Sequence, residues 1–243
     1  MITQDSINIG MTKVNYDIIY STRRKNATLA VYPMKTVEIT VPSSLKKEEI
    51  QGLIKKKGRW ILGQLLWFND VTQMDSHKEY VNGETFLYLG RQYRLKTAPS
   101  EGRVTARLVG KHLSVSVHPT TSSSQRLKLA RAAIWQWYRT EAARRIAEVA
   151  EDYGRKIGIP LPKITIKNQS KRWGSCTQKN GLIFNIKLIM APMSQVEYVV
   201  AHELCHVRYK DHSDKYWRLL RLIMPDYKSR KEALRKDGWQ YVL

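Results

Sequence analysis

The stretch Val199-Val200-Ala201-His202-Glu203-Leu204-Cys205-His206-Val207 constrains this chain more than any other, because it sets three ionisable side chains inside an apolar run. Residues four apart on a helix lie about 40° apart around its axis, so His202 and His206 present their imidazoles side by side. Glu203 falls on the adjoining flank, where it can take a proton from a water held by the same ion. Ser194 with Glu197 reads as a capping box and Met193 with Tyr198 as a hydrophobic staple, so a helix starts here. Val196, Val199, Val200, Leu204 and Val207 form one apolar face, and Tyr198, Ala201 and Cys205 make the opposite face apolar too, which predicts burial nearly all round. Two imidazoles and a carboxylate are costly to desolvate there, and a divalent cation compensates them directly.

A third histidine, His212, follows His206 by six residues. Three neutral nitrogen donors with one open position are the arrangement of a catalytic zinc site, so His202, His206 and His212 are the expected ligands and Glu203 the expected catalytic base. The bare five-residue pattern also arises by chance, and the apolar flanks together with His212 are what raise it above that background. The interval matches the metzincin class of zinc proteases, but that class has glycine three residues after its second histidine, where this chain has Tyr209. The metzincin turn is therefore not expected. Instead the helix is predicted to run to about Tyr209 or Lys210 and break at Asp211, with Ser213 capping a further helix through Leu222.

With 243 residues and 42% hydrophobic content the chain can bury a full core, divided between one large or two modest domains. No apolar segment is long enough to span a bilayer and the N-terminus has no leader pattern, so the expectation is a soluble cytoplasmic protein without a membrane partner. The two cysteines, Cys176 and Cys205, are read as small buried side chains without a catalytic or disulfide role. The formal charge of +21 is spread over both halves. It suits DNA or another polyanion as a partner, although a solvated basic face explains it equally well.

Along the chain, alternation over residues 12 to 42 predicts a small antiparallel sheet, and Lys46 to Phe68 a helix, followed by a polar linker over 69–79. Glycine turns at Asn82-Gly83, Gly90 and Gly110 mark a second β segment. Pro119 to Ser124 is taken as the boundary between an N-terminal β-rich domain, 1–121, and a second domain, 122–243. The latter is expected to hold a long helix from Gln125 to about Ile157, strands at Lys163–Lys167 and Leu182–Ile189, the metal helix, and a closing helix from Tyr227 to Lys236 stopped by Gly238. The inner side of the long helix is read as including Leu127, and its arginines as a solvated face. No internal repeat is visible. The fold class is α+β.

Ser170-Lys171-Arg172-Trp173-Gly174-Ser175-Cys176, then Asn185 to Pro192, His202-Glu203-Leu204-Cys205-His206 and His212-Ser213-Asp214-Lys215-Tyr216-Trp217, closely resemble the bacterial YgjP-like metallopeptidase family. The resemblance also takes in Arg23-Arg24, Val41-Pro42 and Trp60-Ile61. It implies a zincin-like catalytic domain of the minigluzincin type, similar to SprT-like proteases that act on DNA-associated proteins, with His202, His206 and His212 on zinc and Glu203 as general base. The chain departs from the common family form at Tyr216, where phenylalanine is usual. Tyr216 is either aromatic packing or a hydroxyl near the site, and it is read as packing, like Trp173 and Trp217. In the zincin picture the Leu182–Ile189 strand is the edge beside the cleft, offering its backbone to a polypeptide substrate. Arg172 is a candidate for substrate contact or oxyanion stabilisation, with a structural ion pair as its other reading.

Two rivals stay open. Nucleoside-triphosphate pyrophosphatase activity has also been associated with this family, but the chain lacks a Gly-x4-Gly-Lys-Ser/Thr loop and clustered carboxylates for magnesium. A nucleic-acid-binding module with a structural metal needs a fourth ligand, which Cys176, Asp211 or Asp214 would have to supply.

Overall fold

Val14, Tyr16 and Ile18 turn inward from one strand while their neighbours face out, the alternation of a half-buried sheet. The computed structural model describes residues 2–31, 37–71, 78–170 and 172–243. Its first sheet comprises β1 (Ile2–Ile9), β2 (Thr12–Ser21), β3 (Thr28–Val31) and β4 (Val37–Pro42), in the order β1-β2-β4-β3. It is mixed rather than antiparallel, because β2 and β4 run parallel. The helix expected over 46–68 is two helices, α1 (Lys47–Lys56) and α2 (Gly58–Val71). At the break, a Cβ on Gly58 would lie 2.7 Å from Cγ2 of Ile9, so only glycine lets the chain pass this close to β1. Of the linker expected over 69–79, residues 72–77 lie outside the described residues.

The second sheet comprises β5 (Thr85–Tyr88), β6 (Arg91–Pro99), β7 (Ala106–Val109) and β8 (His112–Val117), in the order β5-β6-β8-β7. Its pairing copies the first: an antiparallel hairpin, a parallel centre and an antiparallel outer pair. The first hairpin of each sheet turns at a glycine with positive φ, Gly10 at 61° and Gly90 at 76°. Helices follow both sheets. The chain thus contains a structural repeat that its sequence conceals.

The long helix α3 (Ser123–Lys156) has 34 residues, which at 1.5 Å per residue makes it about 51 Å long. It buries Ala130, Ile134, Tyr138, Ala142, Ile146, Val149 and Tyr153 along one stripe, while Leu127, expected inside, is 43% exposed. Outside, Arg144 and Arg145 pair with Glu141 and Glu148, as a solvated face requires. Phe86, Tyr88, Leu95, Leu113, Val115 and Val117 from the second sheet share the core of this helix. The chain accordingly divides into compact units of 1–76 and 77–243, not at 121/122. Pro119 to Ser124 is only the connection from β8 into α3. Ile7, Val14, Tyr16, Ile39, Ile50 and Ile54 belong to a separate core in the first unit.

A third sheet joins β9 (Ile164–Lys167), β10 (Gly174–Cys176) and β11 (Leu182–Asn185) in the order β10-β11-β9. The strand expected to reach Ile189 stops at Asn185, where a 3-10 helix, Ile186–Met190, begins. The buried Asn185 side chain ends it: Oδ1 accepts from Lys187 N, and Nδ2 donates to the carbonyls of Gln169 and Arg172. Being paired on both sides, β11 is the centre of its sheet and cannot be the edge expected of it. The edge is β10. Helices α4 (Met193–Arg208), α5 (Asp214–Ile223) and α6 (Tyr227–Asp237) complete an α+β fold. Among the described residues no helix is long and apolar enough to cross a membrane.

Candidate metal centre

The start of α4 is fixed by the second sheet rather than by the expected capping box. Leu89 N and Gly90 N donate to the carbonyls of Ile189 and Met190, and a Cβ on Gly90 would lie 2.9 Å from Cγ of Pro192. Pro192 is the N-cap and no side chain caps the helix, while Glu197 is taken up by an ion pair with Arg230. The apolar residues read from the sequence do bury α4: Val196, Val200, Ala201, Leu204 and Cys205 are fully enclosed. At Tyr209 the backbone is extended, with φ −128°, so no glycine is needed there. The chain then reverses into α5 behind Ser213, and this return brings His212 back over His202 and His206.

The donor nitrogens of His202, His206 and His212 all lie within 4.8 Å of one another. His202 Nε2 and His212 Nε2 are 3.4 Å apart. That is long for a hydrogen bond, yet it is the spacing of two nitrogens each about 2.0–2.1 Å from one tetrahedral ion, about 3.3–3.4 Å. His206 Nδ1 lies 3.0 Å from the Tyr209 carbonyl, which can only accept, so Nδ1 carries the proton and Nε2 keeps a free lone pair. Burial depresses the pKa of His202 to about 3, helped by His206 and His212, and it lowers that of His206 also. Neutral imidazoles with lone pairs turned inward suit a divalent transition metal. His212 is exposed and is braced by stacking on Trp217, with ring centroids 5.3 Å apart.

Glu203 lies beneath the edge strand β10. A Cβ on Gly174 would stand 2.7 Å from Glu203 Cγ and 2.9 Å from Oε1, so the glycine is what allows strand and carboxylate to meet. Burial pushes the pKa of Glu203 up to about 7, against the opposing pull of the Cys176 backbone N–H and the charge of Arg172. Glu203, the expected base, thus follows His202 on α4 and is buried against β10. Arg172 is exposed and has no ion pair among the described residues. Its neighbour Lys171 lies outside the described residues.

Trp173 packs as expected, edge-on to Tyr241 at 5.7 Å and against Gly238, whose Cβ would meet its ring at 2.8 Å. Gly238 thus permits a close approach, and its φ of −58° shows that it is not a left-handed helix stop. Cys205 is enclosed and Cys176 half-buried, both as free thiols. Tyr216 corrects the packing reading in part. It is buried, but its hydroxyl lies 2.6 Å from His202 Nδ1 and 3.2 Å from the His202 carbonyl. Sequence reasoning also gave no role to Gly174, although a glycine between Trp173 and Ser175 in a strand signals a close backbone approach.

In structural comparison the chain is similar to two metallopeptidase zymogens. Abylysin of Pyrococcus abyssi gives a TM-score of 0.37 at 15% identity, over 40% of this chain and 99% of that one. Jannalysin of Methanocaldococcus jannaschii gives 0.34 at 19% identity, over 37% and 88%. No curated protein matches the sequence significantly. The profile of the YgjP-like metallopeptidase domain matches residues 25–237, most of the chain, which therefore belongs to the YgjP-like family of metal-dependent peptidases.

Proposed function

We propose that this peptidase is zinc-dependent, with His202, His206 and His212 as the ligands and Glu203 as the proton carrier. The observation that carries the reading is the convergence of three imidazoles, two of them half-buried, kept neutral and carried by a helix that also bears a buried carboxylate with its pKa pushed up to about 7. Zinc held by these rings would polarise a peptide carbonyl and acidify a water. Glu203 Oε takes the proton from the attacking water and returns it to the leaving amine nitrogen. A base poised near neutrality can do both.

The edge strand β10 supplies the template for the substrate. Trp173 pairs with Asn185 and Thr177 with Gly181 through their hydrogen bonds, so the alternation of an antiparallel ladder turns Gly174 and Cys176 outward. The Cys176 N–H acts on Glu203, and the Gly174 amide is left to align an extended polypeptide. Arg172, beside it in sequence and close enough for its charge to act on Glu203, would neutralise the tetrahedral oxyanion. The net charge of +21 supports a substrate associated with nucleic acid. So does a groove of about 830 Å³ beside Tyr209, which Lys163, Lys167, Lys179 and Arg208 line without any acidic residue. Phosphoanhydride hydrolysis has less support: the only metal-holding cluster among the described residues is the histidine trio.

Zinc-loaded wild type and Glu203→Gln, incubated with a DNA-bound basic protein with and without the DNA, test this by mass spectrometry of the products. The expected result is peptide-bond cleavage by wild type alone, faster with DNA, and a rate about 10²–10⁴ lower in a variant that still holds zinc. Intact polypeptide in every sample overturns the peptidase assignment of the site and makes a nucleoside-triphosphate panel the next assay.

A further inference from the structure

Tyr216 is fully buried on the first turn of α5, four residues after His212. Its ring stacks on His206 at 4.6 Å with planes 29° apart and meets Trp217 edge-on at 5.0 Å, so the phenol has no freedom to swing away. The hydroxyl faces two groups of one residue, His202 Nδ1 at 2.6 Å and the His202 carbonyl at 3.2 Å. A phenol has one hydrogen, and a carbonyl can only accept. If the hydroxyl donates to the carbonyl, its oxygen is free to accept from Nδ1, and both contacts become hydrogen bonds. If it donates to Nδ1 instead, the carbonyl contact is lost and Nε2 must carry the proton. Nε2 is the atom that stands 3.4 Å from its counterpart on His212.

We propose that Tyr216 is a positioning residue that holds His202 in the Nδ1–H tautomer, leaving the Nε2 lone pair directed at the metal position. The proposal rests on the reading of His202 as a ligand. Tyr216 does for His202 what the Tyr209 carbonyl does for His206, with a side chain in place of the backbone. A partner on the distal nitrogen fixes the ring, and its loss typically weakens metal binding about tenfold to hundredfold.

The test uses full-length protein labelled with ¹⁵N-histidine, stripped of metal, and long-range ¹H–¹⁵N correlation of the His202 ring. Wild type should show the proton on Nδ1. Tyr216→Phe should show a mixture or the Nε2–H form, and its zinc dissociation constant, from chelator competition, should rise about tenfold to hundredfold. Tyr138→Phe is the control: it removes another buried hydroxyl, the one donating to the Leu87 carbonyl, and should alter neither readout. An Nε2–H tautomer in wild type overturns the proposal and needs no variant to fold. An unchanged tautomer and affinity in Tyr216→Phe overturns it too, as does an equal effect of Tyr138→Phe. A wild type that takes up no zinc sinks the metal reading separately, while the tautomer comparison still decides what Tyr216 does to His202.

Discussion

Glu203 and His202 are neighbours in sequence with opposite responses to the same burial, and that opposition has a measurable signature. The folded-state pKa of His202 is depressed from 6.5 to about 3, so the stability it contributes is complete above pH 6.5 and is lost as the pH falls toward 3. Glu203 is raised from 4.5 to about 7, so its contribution is complete below pH 4.5 and is lost as the pH rises through 7. In chelator-treated protein, the stability of Glu203→Gln relative to wild type should therefore grow from pH 4.5 to 7 and be level outside that window. Urea titrations across pH check this, and a difference that is flat throughout would mean that Glu203 is not buried as described. The nearness of the imidazoles at 202 and 206 was legible from spacing, because a helix alone sets the angle between those positions. A Tyr216 hydroxyl near the site was legible as an alternative, but its partner was not, since its direction depends on how α5 returns across α4, which no local pattern encodes.

At the scale of elements, the site is a helix pressed against a strand edge, and Gly174 sets the distance. Gly174→Ala should force β10 away from α4, costing about 1–3 kcal/mol of stability, while the histidine trio keeps its metal. Denaturant titration and zinc content check both parts, and a variant of unchanged stability and activity would show that the strand has slack. The apolar residues Leu182 to Ile189 could be read as one long strand because a continuous apolar run does not distinguish a buried strand from a strand followed by a buried turn. What separates them is the side chain of Asn185, whose bonds to Gln169 and Arg172 are long-range. The same limit hid the break at Lys57, where Gly58 is placed by contact with Ile9 from another element.

At the scale of the molecule, the two hydrophobic cores are separate, and all the groups assigned to the metal centre lie in residues 77–243. A fragment of these residues should bind zinc with an affinity within about twofold of the full chain. Chelator competition on the fragment checks it, and a much weaker constant would make residues 1–76 part of the site. The fold class was legible from periodicity, but the boundary was not: a proline and serine cluster marks a connection, and only the packing of β5 to β8 on α3 shows to which side they belong. The shared strand order of the two sheets has a consequence of its own. One chain carries the same four-stranded plan twice, once in the core that also buries α3 and α4 and once resting on an interior of its own. A residue moved between matching strands of the two sheets therefore meets a different interior in each, so the packing of one cannot be read from the sequence of the other.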